Sequence, residues 1–293
     1  MFNKILVPLD GSTLSERALP PALALGQLPD TAIILARVPT GEDASTLTAG
    51  RHPDQTRSDA QVYLDTLRLS NLRPGLNLRT RLMDGDAASA IVDTATAEAA
   101  DLIVMSTHGY SGVTRWLLGS VTEKVLRTAP CPVLAVRTPR PIRQIAITLD
   151  GSELSERALA PGLELAQRLQ ADVTLLRCVP YAAINGALDE TERGLSRRLQ
   201  QDVIDEAAAY LTARSARRVA IKTEVRVGPA ADNIYEFVEA YSTDLIVMAT
   251  HGRTGVQRWV YGSVTEKVLH SANASLLVFR PVSPARWSMR SAE

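Results

Sequence analysis

Runs of consecutive apolar residues recur along the chain at 5–9, 32–38, 76–82, 102–105 and 132–136, and again near Ile145, Val173, Ala220, Leu245 and Ser275. Between them, at 14–28, 55–69, 87–99 and 120–127, apolar and polar positions alternate with a helical period. Apolar residues at successive positions predict strands covered on both faces, which is the environment of a parallel sheet wrapped by helices. Each half therefore reads β-α-β-α-β-α-β-α-β. Right-handed crossovers convert that order into an open, doubly wound sheet, with ligands expected outside the carboxyl ends of strands near a switch in strand order. Two features strain the pattern. Pro20-Pro21 and Pro161 fall inside the first helix of each half and predict a bent or late-starting helix. Pro8, replaced by Thr148 in the second half, reads as a strand-end feature.

The two halves are copies. Leu9-Asp-Gly-Ser-Thr-Leu-Ser-Glu-Arg-Ala-Leu19 returns as Leu149-Asp-Gly-Ser-Glu-Leu-Ser-Glu-Arg-Ala-Leu159, differing only at Thr13 against Glu153. Asp101-Leu-Ile-Val-Met-Ser-Thr-His-Gly109 returns as Asp244-Leu-Ile-Val-Met-Ala-Thr-His-Gly252, and Gly119-Ser-Val-Thr-Glu-Lys-Val-Leu126 returns unchanged from Gly262 to Leu269. A period of about 140 residues is that of a whole domain rather than of a solenoid repeat. The expected domains are 1–138 and 143–281, meeting in 137–143, where prolines and arginines interrupt the apolar pattern; 282–293 reads as a flexible tail.

Bulk properties narrow the classes. With 293 residues, 45% hydrophobic and 22% charged, the chain suits two soluble globular domains. Lys+Arg and Asp+Glu balance at 32 each, so no overall positive field points to nucleic acid or an anionic membrane surface. Met1-Phe2-Asn3-Lys4 leads straight into strand-like sequence, and no apolar run approaches the length of a membrane span, so a cytoplasmic protein is expected. Cys131 and Cys178 lack Cys-x-x-Cys spacing and read as reduced thiols in or beside strands.

Candidate chemistry gathers at strand mouths. Asp10-Gly11-Ser12 and Asp150-Gly151-Ser152 end the first strand of each half and open a helix, with Ser12 or Thr13 and Ser152 as candidate caps. Such an Asp either satisfies turn amides or presents its carboxylate to a ligand. Ser106-Thr-His-Gly109 followed by Gly119-Ser120, and Ala249-Thr-His-Gly252 followed by Gly262-Ser263, link a strand to a helix start. Glycine lets backbone approach phosphate, and the first helical turn offers unpaired N–H groups with a partial positive charge. Ser120 and Ser263 can add hydroxyl bonds, while Arg115 and Arg258 lie in the intervening loops, where an Arg is either solvated or set to clamp phosphate. His108 and His251 precede a glycine and lack a neighbouring His or Cys, which argues against a metal site. No Gly-x-x-x-x-Gly-Lys-[Ser/Thr], Gly-x-Gly-x-x-Gly after the first strand, or Gly-x-Ser-x-Gly occurs, and no paired base and nucleophile is visible. Any hydrolysis should be slow.

On these motifs the chain resembles a tandem member of the universal stress protein family, from Lys4-Ile-Leu-Val-Pro-Leu-Asp-Gly-Ser12 through Pro132-Val-Leu-Ala-Val136 and from Ile145 to Phe279. The resemblance implies two Rossmann-like (flavodoxin-like) α/β domains, each a five-stranded parallel sheet of order 3-2-1-4-5 with helices on both faces. Nucleotide-binding members carry Gly-x-x-Gly-x9-Gly-[Ser/Thr]. Gly109, Gly119 and Ser120 match that pattern in the first half, and Gly252, Gly262 and Ser263 in the second; Ser106 and Ala249 stand where the family has its first glycine. Asp10 and Asp150 match the family's acidic residue at base or ribose, and Val38 and Val179 its backbone contact to adenine. The implied ligand is ATP, or AMP or ADP, with Mg2+ accompanying it, and the implied pairing is domain 1 with domain 2 through their final strands, with a homodimer open.

Three functions follow: an ATP-binding stress regulator without fast catalysis; a protein-interaction module that keeps the fold without nucleotide, favoured by Ser106 and Ala249; and an adenylyl- or phosphoryl-transfer enzyme, disfavoured by the missing base and lysine.

Overall fold

The computed structural model describes residues 2–27, 30–39, 53–107, 118–138, 140–181, 201–202, 204–210, 212–213, 221–250 and 262–280. The chain divides into two units at Pro141 and Ile142. In the first, β1 (Lys4–Pro8), β2 (Ala32–Arg37), β3 (Asn77–Leu82), β4 (Leu102–Ser106) and β5 (Val133–Val136) alternate with α1 (Leu19–Gly26), α2 (Pro53–Ser70), α3 (Ala87–Ala97) and α4 (Ser120–Thr128). Pairing is parallel throughout and runs β3-β2-β1-β4-β5. The second unit contains β6 (Gln144–Thr148), α5 (Glu153–Leu169), β7 (Asp172–Val179), β8 (Ile221–Val227), α6 (Ala230–Tyr241), β9 (Leu245–Ala249), α7 (Ser263–Ser271) and β10 (Ser275–Phe279), with helical residues 204–210 between β7 and β8. Its pairing, again parallel, runs β8-β7-β6-β9-β10. Residues 281–293, which include the expected tail at 282–293, lie outside the described residues.

Side-chain burial explains why the strands read as continuous apolar runs. Successive strand residues point to opposite faces, and in β2, β4, β5 and β10 every residue is buried, so both faces of those strands are covered. The edge strands differ: β3 alternates between exposed and buried positions and β8 is mostly half-exposed. Ile5, Leu6, Ile33, Leu35, Leu102, Ile103 and Leu134 centre the first core; Ile145, Ile147, Leu175, Leu245, Val247 and Leu277 centre the second. In both units an Asp side chain before the fourth strand takes up the amides that start the first strand. Asp101 accepts from Asn3 and Lys4 at 2.8 and 3.0 Å, and Asp244 from Arg143 and Gln144 at 2.8 and 3.0 Å.

The prolines act differently in the two halves. After Asp10 the chain makes a 3-10 turn over Ser15–Ala18, and α1 begins only at Leu19, so Pro20 and Pro21 occupy its first turn, where a missing N–H costs little. In the second half Ser152 caps α5 by accepting from the Ser155 amide at 3.2 Å, and the helix starts at Glu153 without delay and carries Pro161 in its interior. Pro8 is the last residue of β1.

Candidate functional site

The switch in strand order lies at β1 in the first unit and β6 in the second, each flanked by a strand from either arm of the sheet. Beyond β1 the chain turns through Gly11, whose φ of +89° favours glycine, and Gly151 repeats this at +82°. The turn is knit by side chains. The Ser12 amide and hydroxyl both donate to Asp10 Oδ1, at 2.9 and 2.6 Å, while Ser12 Oγ accepts from the Ser15 amide at 3.0 Å. In the second half the Ser152 amide donates to Asp150 Oδ1 at 2.9 Å. Burial works to raise the pKa of Asp150, but the hydrogen bonds from Ser152 and Ser155 outweigh it, and the carboxyl sits below its ordinary value. Each Asp thus serves its turn and remains half-buried at the sheet mouth.

The second element is the start of the fourth helix. Gly119 is the N-cap of α4, with φ −61° and ψ 141°, and Gly262 caps α7 with φ −66° and ψ 146°. Their own N–H groups are engaged: Gly119 donates to the Thr107 carbonyl at 2.8 Å and Gly262 to that of Thr250 at 2.5 Å. The first helical bonds of the cap carbonyls come from Glu123 at 2.9 Å and Glu266 at 3.1 Å. Helix geometry then leaves the amides of Ser120, Val121 and Thr122, and of Ser263, Val264 and Thr265, without an intrahelical acceptor. Ser120 and Ser263 are exposed.

The sheet brings these elements side by side. β1 and β4 are parallel neighbours whose last registered pair is Leu6 with Ile103, and Asp10 and Thr107 each stand four residues beyond it, past the carboxyl ends of the two strands. In the second unit the last registered pair is Ile147 with Val247, and Asp150 and Thr250 each follow three residues on. Ser106, buried at the end of β4, and Ala249, half-buried at the end of β9, precede these threonines. Val38 follows β2 on the other side of β1 and is half-buried. His108, Gly109, Arg115, His251, Gly252 and Arg258 lie outside the described residues.

Register revises one pairing. Leu9 donates to the Ala36 carbonyl at 2.8 Å and Leu149 to that of Leu176 at 2.9 Å, so the counterpart of Val38 is Cys178. Val179 stands one residue farther on, because β7 continues its pairing with β8 past the point where β2 ends. Two residues passed over in the sequence also belong to this region. Thr122 Oγ1 donates to the Ser106 carbonyl at 2.9 Å, and Thr265 Oγ1 to that of Ala249 at 3.1 Å, tying the first turn of the helix to the end of the strand it serves. The unchanged block Gly-Ser-Val-Thr was the available signal, but hydroxyls in a first helical turn ordinarily read as caps.

An oriented row of amides at a helix start, beside a half-buried carboxylate at a topological switch, is suited to a ligand with anionic and hydroxylic parts. Comparison with known proteins places the chain. The family model described as "Universal stress protein family" matches residues 1–137 and again 141–280.

The chain belongs to the universal stress protein family.

Among full-length relatives in the universal stress protein family, the "Universal stress protein E homolog" of Haemophilus influenzae is 26% identical over 309 residues, covering 96% of this chain and 98% of that one. A universal stress protein of Mycolicibacterium smegmatis is 25% identical over 297 residues, covering 94% and 97%. The crystal structure of a universal stress protein from Archaeoglobus fulgidus shares the fold, with a TM-score of 0.69 at 19% identity over 96% of this chain and 99% of that one. Among the described residues of this universal stress protein, no group of three or more His, Cys, Asp or Glu side chains is disposed to hold a metal ion. No helix among them is long and apolar enough to cross a membrane.

Proposed function

We propose that this universal stress protein binds ATP, or its mono- and diphosphate, at an equivalent site in each half and acts as a stress-linked regulator without fast catalysis. The observation that carries the reading is the set of first-turn amides of α4 and α7, left without helical acceptors beside the Asp10 and Asp150 turns. Phosphate oxygens would be held by the amides after Gly119 and Gly262 and by the Ser120 and Ser263 hydroxyls. Asp10 and Asp150, half-buried at the mouth of the sheet, would orient the nucleoside. The donor set suits an anion, and Mg2+ would accompany the nucleotide and offset repulsion between phosphates and carboxylate. Arg115, Arg258, His108 and His251 are proposed as further contacts.

The test is direct: mass spectrometry of small molecules released from freshly purified protein, followed by calorimetry with ATP, ADP and AMP. Released adenine nucleotide and saturable heat support the reading. Their joint absence would favour a protein-interaction module of the same fold, for which Ser106 and Ala249 speak, since a Cβ there narrows the space beside the strand end.

A further inference from the structure

Each half contains a second cluster, assembled from the first turn, the second strand and the second helix. In the first half the Tyr63 hydroxyl donates to Glu16 Oε1 at 2.9 Å, and the Arg37 guanidinium lies 4.5 Å from the centroid of the Tyr63 ring. In the second half Tyr210 donates to Glu156 Oε1 at 3.1 Å, and Arg177 lies 4.5 Å from the Tyr210 centroid. The register that pairs Ala36 with Leu176 makes Arg37 and Arg177 equivalent. Both arginines are nearly enclosed, at 6% and 9% exposure, so each is a fixed cation held against an aromatic face rather than a solvated side chain.

What Arg37 touches gives the cluster its meaning. A Cβ built on Gly11 would stand 2.5 Å from Arg37 Nη2 and 2.7 Å from its Cζ, so the guanidinium packs flush against the backbone of the Asp10-Gly11-Ser12 turn. Glycine is required there for a second reason besides its positive φ: any side chain would displace the arginine. Burial, followed by the bond to Glu16, raises the Tyr63 pKa well above its ordinary value, which keeps the hydroxyl a donor. Glu16 belongs to the 3-10 turn that packs on β4, so the chain Glu16, Tyr63, Arg37, Gly11 links both sides of the crevice.

The geometry points to a bracket in the first half, in which Glu16–Tyr63–Arg37 are positioning residues that hold the Asp10 turn in its ligand-ready form; Glu156–Tyr210–Arg177 repeat the same contacts among themselves and, through the duplication, are assigned the same role at the Asp150 turn. The ligand arm of this inference rests on the nucleotide reading; the bracket itself does not. The duplication supplies an internal control, because a lesion in one bracket leaves its twin intact.

The experiment uses the full chain carrying Tyr63→Phe, and separately Arg37→Lys, with Tyr210→Phe as the mirror variant. Amide exchange is followed by NMR at Ser12 and Ser152 without ligand, and ATP titrations are followed at the Gly119 and Gly262 amides. Tyr63→Phe removes one bond to a charged acceptor and should speed exchange at Ser12 about tenfold and weaken ATP in the first half about tenfold, with Ser152 and Gly262 unmoved. Arg37→Lys should do the same, and Tyr210→Phe should reverse the pattern. Unchanged Ser12 exchange in both first-half variants would overturn the bracket, as would equal acceleration at Ser12 and Ser152, the signature of general destabilisation. Faster exchange with unaltered ATP affinity would overturn the positioning role. If the unsubstituted protein ignores ATP, the nucleotide reading fails while Ser12 exchange still decides the bracket.

Discussion

Replacing Gly119 by Val separates the fold from the ligand. Gly119 sits at φ −61° and ψ 141°, a conformation open to any residue, and its N–H bond to Thr107 survives the change. The structural cost is that of a poor N-cap, about 1 kcal/mol, which lowers the melting midpoint of a domain of this size by about 2–6 °C. Binding should suffer far more. A branched side chain at the cap stands over the amides of Ser120 and Val121, and losing two bonds to a charged acceptor, at about 1.5–3 kcal/mol each, removes about 3–6 kcal/mol. Affinity in the first half then falls by about 10²–10⁴-fold, enough to make that site silent. Calorimetry with ATP should report half the stoichiometry in Gly119→Val, half in Gly262→Val, and no heat in the double variant, all three keeping a cooperative melt. Undiminished affinity in the double variant would refute the assignment of phosphate to these helix starts.

Further outcomes follow from packing and charge. Gly26→Ala places a Cβ against the side chains of Ile33 and Leu76, and the overpacking should destabilise the first unit by about 1–3 kcal/mol, read as a lower urea midpoint. The lowered pKa of Asp150 means that its contribution to stability is present above the unfolded value near ~4 and is lost as pH falls through the lower folded value. Asp150→Asn should therefore flatten the acid limb of a urea-midpoint profile, and an unchanged limb would contradict the hydrogen bonds assigned to Ser152 and Ser155. Burial lifts the Cys178 thiol to about 11, with Arg226 acting the other way, and Cys131 is buried. Neither should react with a maleimide at about pH 8 until denaturant is added; rapid labelling of the native protein would count against both placements.

Much of this molecule is local in origin and so was legible along the chain. Parallel strands buried on both faces must be apolar at successive positions, and β2, β4, β5 and β10 announce themselves that way. Asp-Gly-Ser carries its own turn, since a positive φ and an Asp-to-amide bond need nothing beyond neighbouring residues. The duplication itself needs only the comparison of the chain with itself.

Other features had no local signature. Glu16, Arg37 and Tyr63 stand at no periodic spacing, and only the lengths of two crossovers bring them within bonding distance. Pro20-Pro21 and Pro161 announced a bent or late-starting helix in each half, but only the folded chain separates the two cases, with Pro20 and Pro21 in the first turn of α1 and Pro161 in the interior of α5. Val38 and Val179 both precede proline, and a ladder bond, not the sequence, aligned Val38 with Cys178 instead. Local propensity and burial pattern are written in neighbours three or four positions apart. Register, crossover length and contacts between distant segments belong to the folded chain, and the walls of the crevice are made of them.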